Sequence, residues 1–407
     1  MQFRDSVTSL KHLGAYLEAL ETGRIATASR NLRRSASAVS RSVRLLEDSF
    51  GCPLFIRSDD GLVPTPEGRL VAARIRAIRS ELGSLMDALK CPGQPAARLM
   101  ELDAPRLRAI VAVQDHGSAQ RASQHLGLSQ PAVSLTIREA EADLGVNLFR
   151  RTSKGMTATA AGETTRLYAL RILNELRKMA EDIASTGGEP EGLVCIGGLA
   201  YSRSRLLPEA INHTIARHPR IVVRTVEGPL SSLLVAAHAG EIDAIICAQP
   251  DPAKLEGLTV EPIVEDQMGL FVNSGHPLAG QTGLQARDLL DFPFILPPVG
   301  SVTRSFLDET IMAEAGRAPH GSVETSSYSI IRRLLLGSDH ICFRSMFEFE
   351  VDMADERVSP LDLAFPLRHR SICILQRPGS EQTLAVRRFL GLVRDIARGN
   401  ALRPPPR

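Results

Sequence analysis

The sequence predicts a multidomain chain: two tandem α-helical modules of winged helix-turn-helix type, followed by an α/β body. Three observations carry that expectation. Residues 12–86 lie over residues 106–180 at a constant offset of 94, without a gap. A repeat at a fixed period sets the architecture before anything else is read. Gly23 falls on Gly117, Ser35 on Ser129, Ala38-Val39-Ser40 on Ala132-Val133-Ser134, Glu47 on Glu141, and Thr65 and Gly68 on Thr159 and Gly162. From Leu193 the texture changes, and short apolar runs alternate with helical patterns. Charge divides at the same place. Residues 1–186 hold 26 Lys/Arg against 20 Asp/Glu, a net of +6, and of the whole chain's 48 and 46 this leaves 22 against 26, a net of −4. A basic front on an acidic rear suits a phosphate-facing head with a separate body.

Module 1 runs over residues 1–90 and module 2 over 104–186. Residues 91–103 between them form a linker, because Cys91-Pro-Gly-Gln-Pro95 breaks helix. In module 2, residues 106–116 form an amphipathic helix ending at Gly117. Residues 119–126 form a shorter helix, and Gly127-Leu128 is the tight turn. Ser129 caps the third helix through its hydroxyl, and Pro131 is tolerated in the first turn, where a missing N–H costs little. Phe149-Arg150-Arg151-Thr152-Ser153-Lys154-Gly155 then reads as a two-strand wing. A long helix closes each module, with apolar residues spaced by alternating fours and threes. They are Val71, Ile75, Ile78, Leu82, Leu85 and Leu89 in module 1, and Ala169, Ile172, Leu176, Met179 and Ile183 in module 2. That 3.5-residue period predicts a seam between helices. Residues 187–192 form a hinge. In the body, residues 193–400, strands at 193–196, 221–226 and 244–248 alternate with helices at 205–217 and 230–239. Such alternation argues for βαβ units and a sheet with a parallel core. Residues 401–407 form a disordered tail.

The leading end of the third helix is the end that meets base edges in helix-turn-helix docking. Gln130, Pro131 and Ser134 project from it. Glutamine bonds adenine N6/N7 in the major groove, and serine bonds several bases or a phosphate. Thr136 and Arg138 further along are also expected DNA contacts, and Arg150, Arg151 and Lys154 at the wing suit contacts to the backbone of double-stranded DNA, which position without specifying. In module 1, Ser35-Ala36-Ser37 stands in place of Ser-Gln-Pro and removes the amide. Yet Arg33, Arg34, Arg41 and Arg44 surround its third helix. Either module 1 is a second DNA-binding unit with other base preferences, or it is a decayed copy kept for packing and dimerisation. The four arginines favour DNA contact.

The run from His116 to Ser134, followed by Glu141-Ala-Asp-Leu-Gly-Val-Asn-Leu-Phe149, resembles the winged helix-turn-helix of LysR-type transcriptional regulators. The resemblance covers residues 106–400 and recurs weakly in module 1. It implies a linker helix that dimerises and a two-lobed effector domain resembling periplasmic binding proteins. Lobe 1 would take residues 193–262 and 365–400, and lobe 2 residues 266–360. Leu135 stands where a basic residue usually follows Ala-Val-Ser, Ala140 replaces the customary leucine, and the family normally has one module. In open α/β folds ligands sit beyond the carboxyl ends of strands, near helix N-termini. Tyr201, Ser202 and Arg203, then Ser301, Thr303 and Arg304, then Ser326 and Ser327 qualify as effector contacts. Their hydroxyls, amides and cations favour a small anionic effector such as a carboxylate. RNA polymerase and a homodimer or homotetramer are the further partners implied.

Other classes are excluded. The chain has no G-x-S-x-G, no P-loop and no metal-ligand spacing among its ten histidines, so no enzyme and no cofactor is expected. His369, between Arg368 and Arg370, reads as surface. The six cysteines lie apart without a C-x-x-C pair and read as buried apolar residues. A thiol-based redox-sensing regulator of the same fold is the alternative. The start lacks the apolar core of a signal peptide, and no run approaches the ~18 apolar residues of a membrane span. A cytoplasmic protein without membrane contact is expected.

Overall fold

A computed structural model describes residues 9–58, 61–90, 103–152, 155–199, 201–255, 257–367 and 369–399. The linker at 91–102, the wing cation Lys154 and the tail at 401–407 lie outside the described residues. The chain divides into two compact units. The first is Met1–Leu193, to which the short segments 238–241 and 380–385 also belong, and the second comprises the rest.

In the first unit, module 1 contains α1 (Leu10–Thr22), α2 (Ile25–Asn31), α3 (Ala36–Phe50), the hairpin β1 (Phe55–Ser58) and β2 (Gly61–Pro64), and α4 (Pro66–Leu89). Module 2 repeats the series as α5 (Ala104–His116), α6 (Ala119–Leu126), α7 (Gln130–Leu144), β3 (Phe149–Thr152), β4 (Gly155–Ala158) and α8 (Ala160–Ala184). The first helix of module 2 begins at Ala104 because Asp103 caps it, its carboxylate accepting from Arg106 N, with proline in the opening turn. Two copies of one hydrogen-bond frame are present. Glu47 Oε1 accepts from Leu54 N and Phe55 N, as Glu141 Oε1 accepts from Leu148 N and Phe149 N. Thr65 caps α4 and Thr159 caps α8 by accepting from Gly68 N and Gly162 N. A Cβ on either glycine would lie 2.2 Å from the carbonyl oxygen of Leu54 or Leu148, so only glycine fits at both positions.

The seams pair with each other. One continuous core runs through both modules and includes Val71, Ile75, Ile78, Leu82 and Leu85 with Ala169, Ile172 and Met179. The pairing is antiparallel: Arg74 meets Glu175 and Asp182, whereas Glu81, later in α4, meets Arg171, earlier in α8. The periodicity thus identified an interhelical seam, but its partner is the second copy in the same chain. Arg74 is 2% exposed and Glu175 1% exposed. Arg74 Nε donates to Asp182 Oδ2 (2.7 Å), and Nη1 donates to Glu175 Oε2 (2.9 Å) and to the carbonyl of Glu381 (2.7 Å).

The second unit begins with β5 (Gly192–Gly198), α9 (Leu207–Arg217), β6 (Ile221–Val226), α10 (Leu230–His238), β7 (Ala244–Ala248), β8 (Thr259–Asp266) and β9 (Met268–Asn273). It continues with α11 (Ala286–Leu289), β10 (Phe294–Leu296), α12 (Val302–Ala315), β11 (Gly321–Glu324), α13 (Tyr328–Leu335) and β12 (Ile341–Ser345). It ends with α14 (Glu350–Ala354), β13 (Val358–Pro360), β14 (Arg370–Gln376) and α15 (Leu384–Ala397). Two five-stranded sheets result, ordered β6-β5-β7-β14-β8 and β11-β10-β12-β9-β13. Each has the expected parallel pairing, β5 with β7 and β10 with β11 and β12, but also antiparallel strands where the chain passes between sheets. It crosses outward at Asp266-Gln267-Met268, and β14 returns antiparallel to both β7 and β8. The helix expected over residues 205–217 begins at Leu207, and residues 202–206 before it form a turn of π-helix.

Arg74→Ala removes the buried cation that Glu175 and Asp182 share, a loss that costs about 3–5 kcal/mol. Urea unfolding of the full chain should show the transition of the first unit destabilised by that amount. A shift worth under about 1 kcal/mol would mean that the ion pair is solvated.

Candidate functional site

The third helix of module 2 is presented as a reading head. Ser129 accepts from Ala132 N (3.3 Å) and fixes the start of α7. Gln130 and Pro131 are exposed, and Gln130 Nε2 donates to Ser134 Oγ (3.1 Å), which pre-orients the amide along the helix face. Thr136 is half-buried and donates to Ala132 O, so its hydroxyl is engaged locally. Arg138 is exposed and touches Ser134 O through Nε at 3.3 Å, and Arg150 on the wing is exposed. Of Arg151 only the backbone, paired with Met156, is described. Leu135, where a cation was missing, is 51% exposed, and Ala140 is fully buried in the shared core.

Module 1 presents the matching surface with other chemistry. Ser35 accepts from Ala38 N (3.2 Å) and caps α3, while Ala36 and Ser37 are exposed. Arg33, Arg41 and Arg44 are exposed and form no ion pair among the described residues. Arg34 differs: it is half-buried, and its Nη2 donates to Ser42 Oγ (3.1 Å).

In the second unit the segments after β5 and β10 converge on a buried polar cluster. Arg370 Nε donates to Asp266 Oδ2 (2.7 Å), and its Nη1 donates to Thr303 Oγ1 (2.9 Å). Ser345 Oγ donates to Asp266 Oδ1 (2.5 Å). Tyr201 is buried, its ring edge-on to Phe347 with centroids 5.9 Å apart. Burial, then the charge of Asp266, push its phenol up to about 12. Burial also raises the Glu348 carboxyl, with Arg344, Arg370 and Arg203 pulling it back and Asp266 adding to the rise. Tyr201, Arg203 and Thr303 are therefore brought together, around Asp266, Arg370 and Glu348, three residues that sequence reasoning missed. Arg370 followed an exposed His369, and nothing local marks the alternate position as buried.

Other expected contacts are engaged locally or lie at the surface. Ser202 is fully buried and donates to Leu199 O (2.8 Å). Ser301 donates to Pro298 O (2.7 Å) while accepting from Arg304 N (3.2 Å). Both hydroxyls are spent on the backbone, as serine at a helix start commonly is. Arg203 pairs with Glu227, and Arg304 with Asp308 at 2.7 Å. Ser326 is exposed, and Ser327 precedes α13, its hydroxyl 3.1 Å from that of Ser329.

Of the five described cysteines, Cys195, Cys247, Cys342 and Cys373 are buried. Burial pushes the Cys342 thiol up; the hydrogen bond between Cys247 and Cys373, then burial, pushes the Cys247 thiol up, while that same bond lowers Cys373. The thiolate, the reactive form, is thus disfavoured at Cys342 and Cys247.

Comparison with known proteins places this geometry. Residues 187–398 match the LysR substrate binding domain, and residues 10–69 and 105–163 each match the bacterial regulatory helix-turn-helix protein, lysR family. The chain belongs to the LysR family. It is 32% identical over 389 residues to the HTH-type transcriptional regulator GalR of Pseudomonas putida, covering 95% of this chain and 97% of the relative. It is 27% identical over 292 residues to the HTH-type transcriptional regulator PcaQ of Agrobacterium fabrum, covering 72% and 94%. A full-length OxyR variant from Pseudomonas aeruginosa shares the fold at TM-score 0.55 and 21% identity, over 72% of this chain and 94% of that one. CbnR, a LysR family transcriptional regulator, does so at TM-score 0.52 and 20% identity, over 73% and 99%. This LysR protein is a transcriptional regulator with a helix-turn-helix head and a two-lobed effector-binding body, and not an enzyme. Proteins of the LysR family bind DNA and small-molecule effectors and form oligomers. Among the described residues no helix is long and apolar enough to cross a membrane.

Arg370→Met should destabilise this LysR body by about 3–5 kcal/mol, because Asp266 stays buried without a cation. Removing Arg370 lifts the Asp266 carboxyl further above its unfolded value. The folded state then binds a proton that the unfolded state has released, so the loss grows as pH rises above about 4. Urea midpoints of both proteins from pH 5 to pH 8 should diverge with rising pH. Parallel curves would contradict the pairing.

Proposed function

We propose that this regulator reads its operator through Gln130 and Ser134 and that its body responds to a small carboxylate. The observation that carries the first part is the exposed Gln130 amide, held against Ser134 at the start of α7, where base edges are met. Ser129 and Pro131 set the start of that helix, while Arg138, Arg150, Arg151 and Lys154 hold the sugar-phosphate backbone and Thr136 packs beside them with its hydroxyl on Ala132 O. The second part is supported by the Thr303–Arg370 hydrogen bond beside Tyr201. There the first-turn amides of α12 and a buried guanidinium share one neighbourhood, and both favour an anion. With the hydroxyls of Ser202 and Ser301 engaged on the backbone, the effector contacts are Tyr201, Thr303 and Arg370, with Arg203, Arg304, Ser326 and Ser327 at the periphery. In this reading the protein works in the cytoplasm on RNA polymerase at its target promoter.

Binding titrations on DNA fragments from beside the protein's own gene test both parts. Gln130→Ala should weaken binding to the preferred fragment by about 1–3 kcal/mol, as losing a bidentate base contact does, and leave binding to unrelated DNA unchanged. Thr303→Val should fold normally and require higher concentrations of benzoate-type or aliphatic carboxylates to change the footprint. Wild-type affinity in the first variant, or an unchanged dose response in the second, would reject that part.

A further inference from the structure

We infer that one chain, not a pair of chains, is the unit that grips the operator, and that it takes two half-sites of unlike sequence. This rests on the base-reading role proposed for module 2 and extends it to module 1. The offset of 94 that relates the modules also relates α4 to α8, and these two helices pair antiparallel in one core. An antiparallel pairing between two copies of one element is a local pseudo-two-fold axis. The offset carries Glu81 onto Glu175, and each takes an arginine from the opposite helix, Arg171 and Arg74 respectively. Both modules hang at the N-terminal ends of their long helices, through the caps at Thr65 and Thr159. Helices of this length are about 36 Å long at ~1.5 Å per residue. The two heads are thus set apart on the scale of one turn of duplex, about 34–36 Å, the spacing at which paired helix-turn-helix units bind half-sites.

The axis is only approximate, and its departures point the same way. The offset carries Asp182 onto Ala88 and Tyr168 onto Arg74. An α4–α4 pairing would leave Arg74 buried without the Asp182 carboxylate, and an α8–α8 pairing would have no Arg74 to offer it. Each helix therefore has its best partner within the chain, and residues 91–102 tether them at an effective concentration on the order of millimolar. The reading surfaces differ as well. Where module 2 exposes Gln130 and Leu135, module 1 exposes Ala36 and Arg41. Arg33 adopts φ 51°, in the place where module 2 has Gly127 at φ 66°. A side chain kept in that conformation, disfavoured for residues other than glycine, marks a position whose arginine is used. With Arg41 and Arg44 it makes a cationic face suited to phosphates and guanine edges.

The test is selection of duplexes from a random-sequence pool by the full-length protein, followed by native mass spectrometry on the enriched duplex. The expected motif has two unlike halves about one helical turn apart, and the complex holds one chain for each such motif. A variant carrying Arg33→Gln, Arg41→Gln and Arg44→Gln should lose preference at one half only. Its slope of log K against log salt should fall by about 2–3, from roughly 0.9 per phosphate released. Gln130→Ala should blur the other half. If Gln130→Ala leaves both halves sharp while the arginine variant loses one, the base-reading assignment fails and the one-chain grip stands. A palindromic motif holding two chains, unchanged by the arginine variant, would overturn the inference.

Discussion

The antiparallel pairing of α4 with α8 is the constraint on which the head depends. It fuses two modules into a single core, and at its centre it buries an arginine between two carboxylates. A buried ion pair is a poor source of net stability, because desolvating the charges offsets most of their attraction. Its effect is on register. Arg74 finds Glu175, Asp182 and a carbonyl only when the helices are antiparallel and aligned as they are, so a one-turn slip strands a charge in an apolar seam. Register of the long helices fixes the relation between the two heads.

Much of this was legible in the sequence, because it is written locally. The cap at Ser129, the helix end at the left-handed Gly117, and the starts of α7 and β7 follow from short-range stereochemistry. The seam's existence was legible too, since a 3.5-residue period requires an apolar neighbour. Its partner was not. Periodicity says that a face is covered and is silent about what covers it, so a seam within one chain reads like a seam between subunits. Arg74 went unnoticed for a related reason, as a cation within a helix ordinarily lies on a solvated face.

The body shows the same limit. Asp266 and Arg370 are 104 residues apart, and only the return of β14 beside β8 brings them together. The hydroxyls of Ser202 and Ser301 bond the backbone, and in sequence a hydroxyl engaged in that way looks like one that meets a ligand. The polar cluster that did form is built around residues on the crossover strands. It lies where the chain passes between sheets, the position at which an effector would sense both lobes of the second unit.

Dipolar spectroscopy on spin labels at Asp48→Cys and Ala142→Cys, with the native cysteines replaced, tests the intrachain pairing most directly. The two sites are exposed and equivalent under the 94-residue offset. Pairing within one chain predicts a single narrow distance whose modulation depth is unchanged when labelled protein is diluted with unlabelled chain. A signal that fades in proportion to the dilution would place α4 and α8 on different subunits and contradict the account.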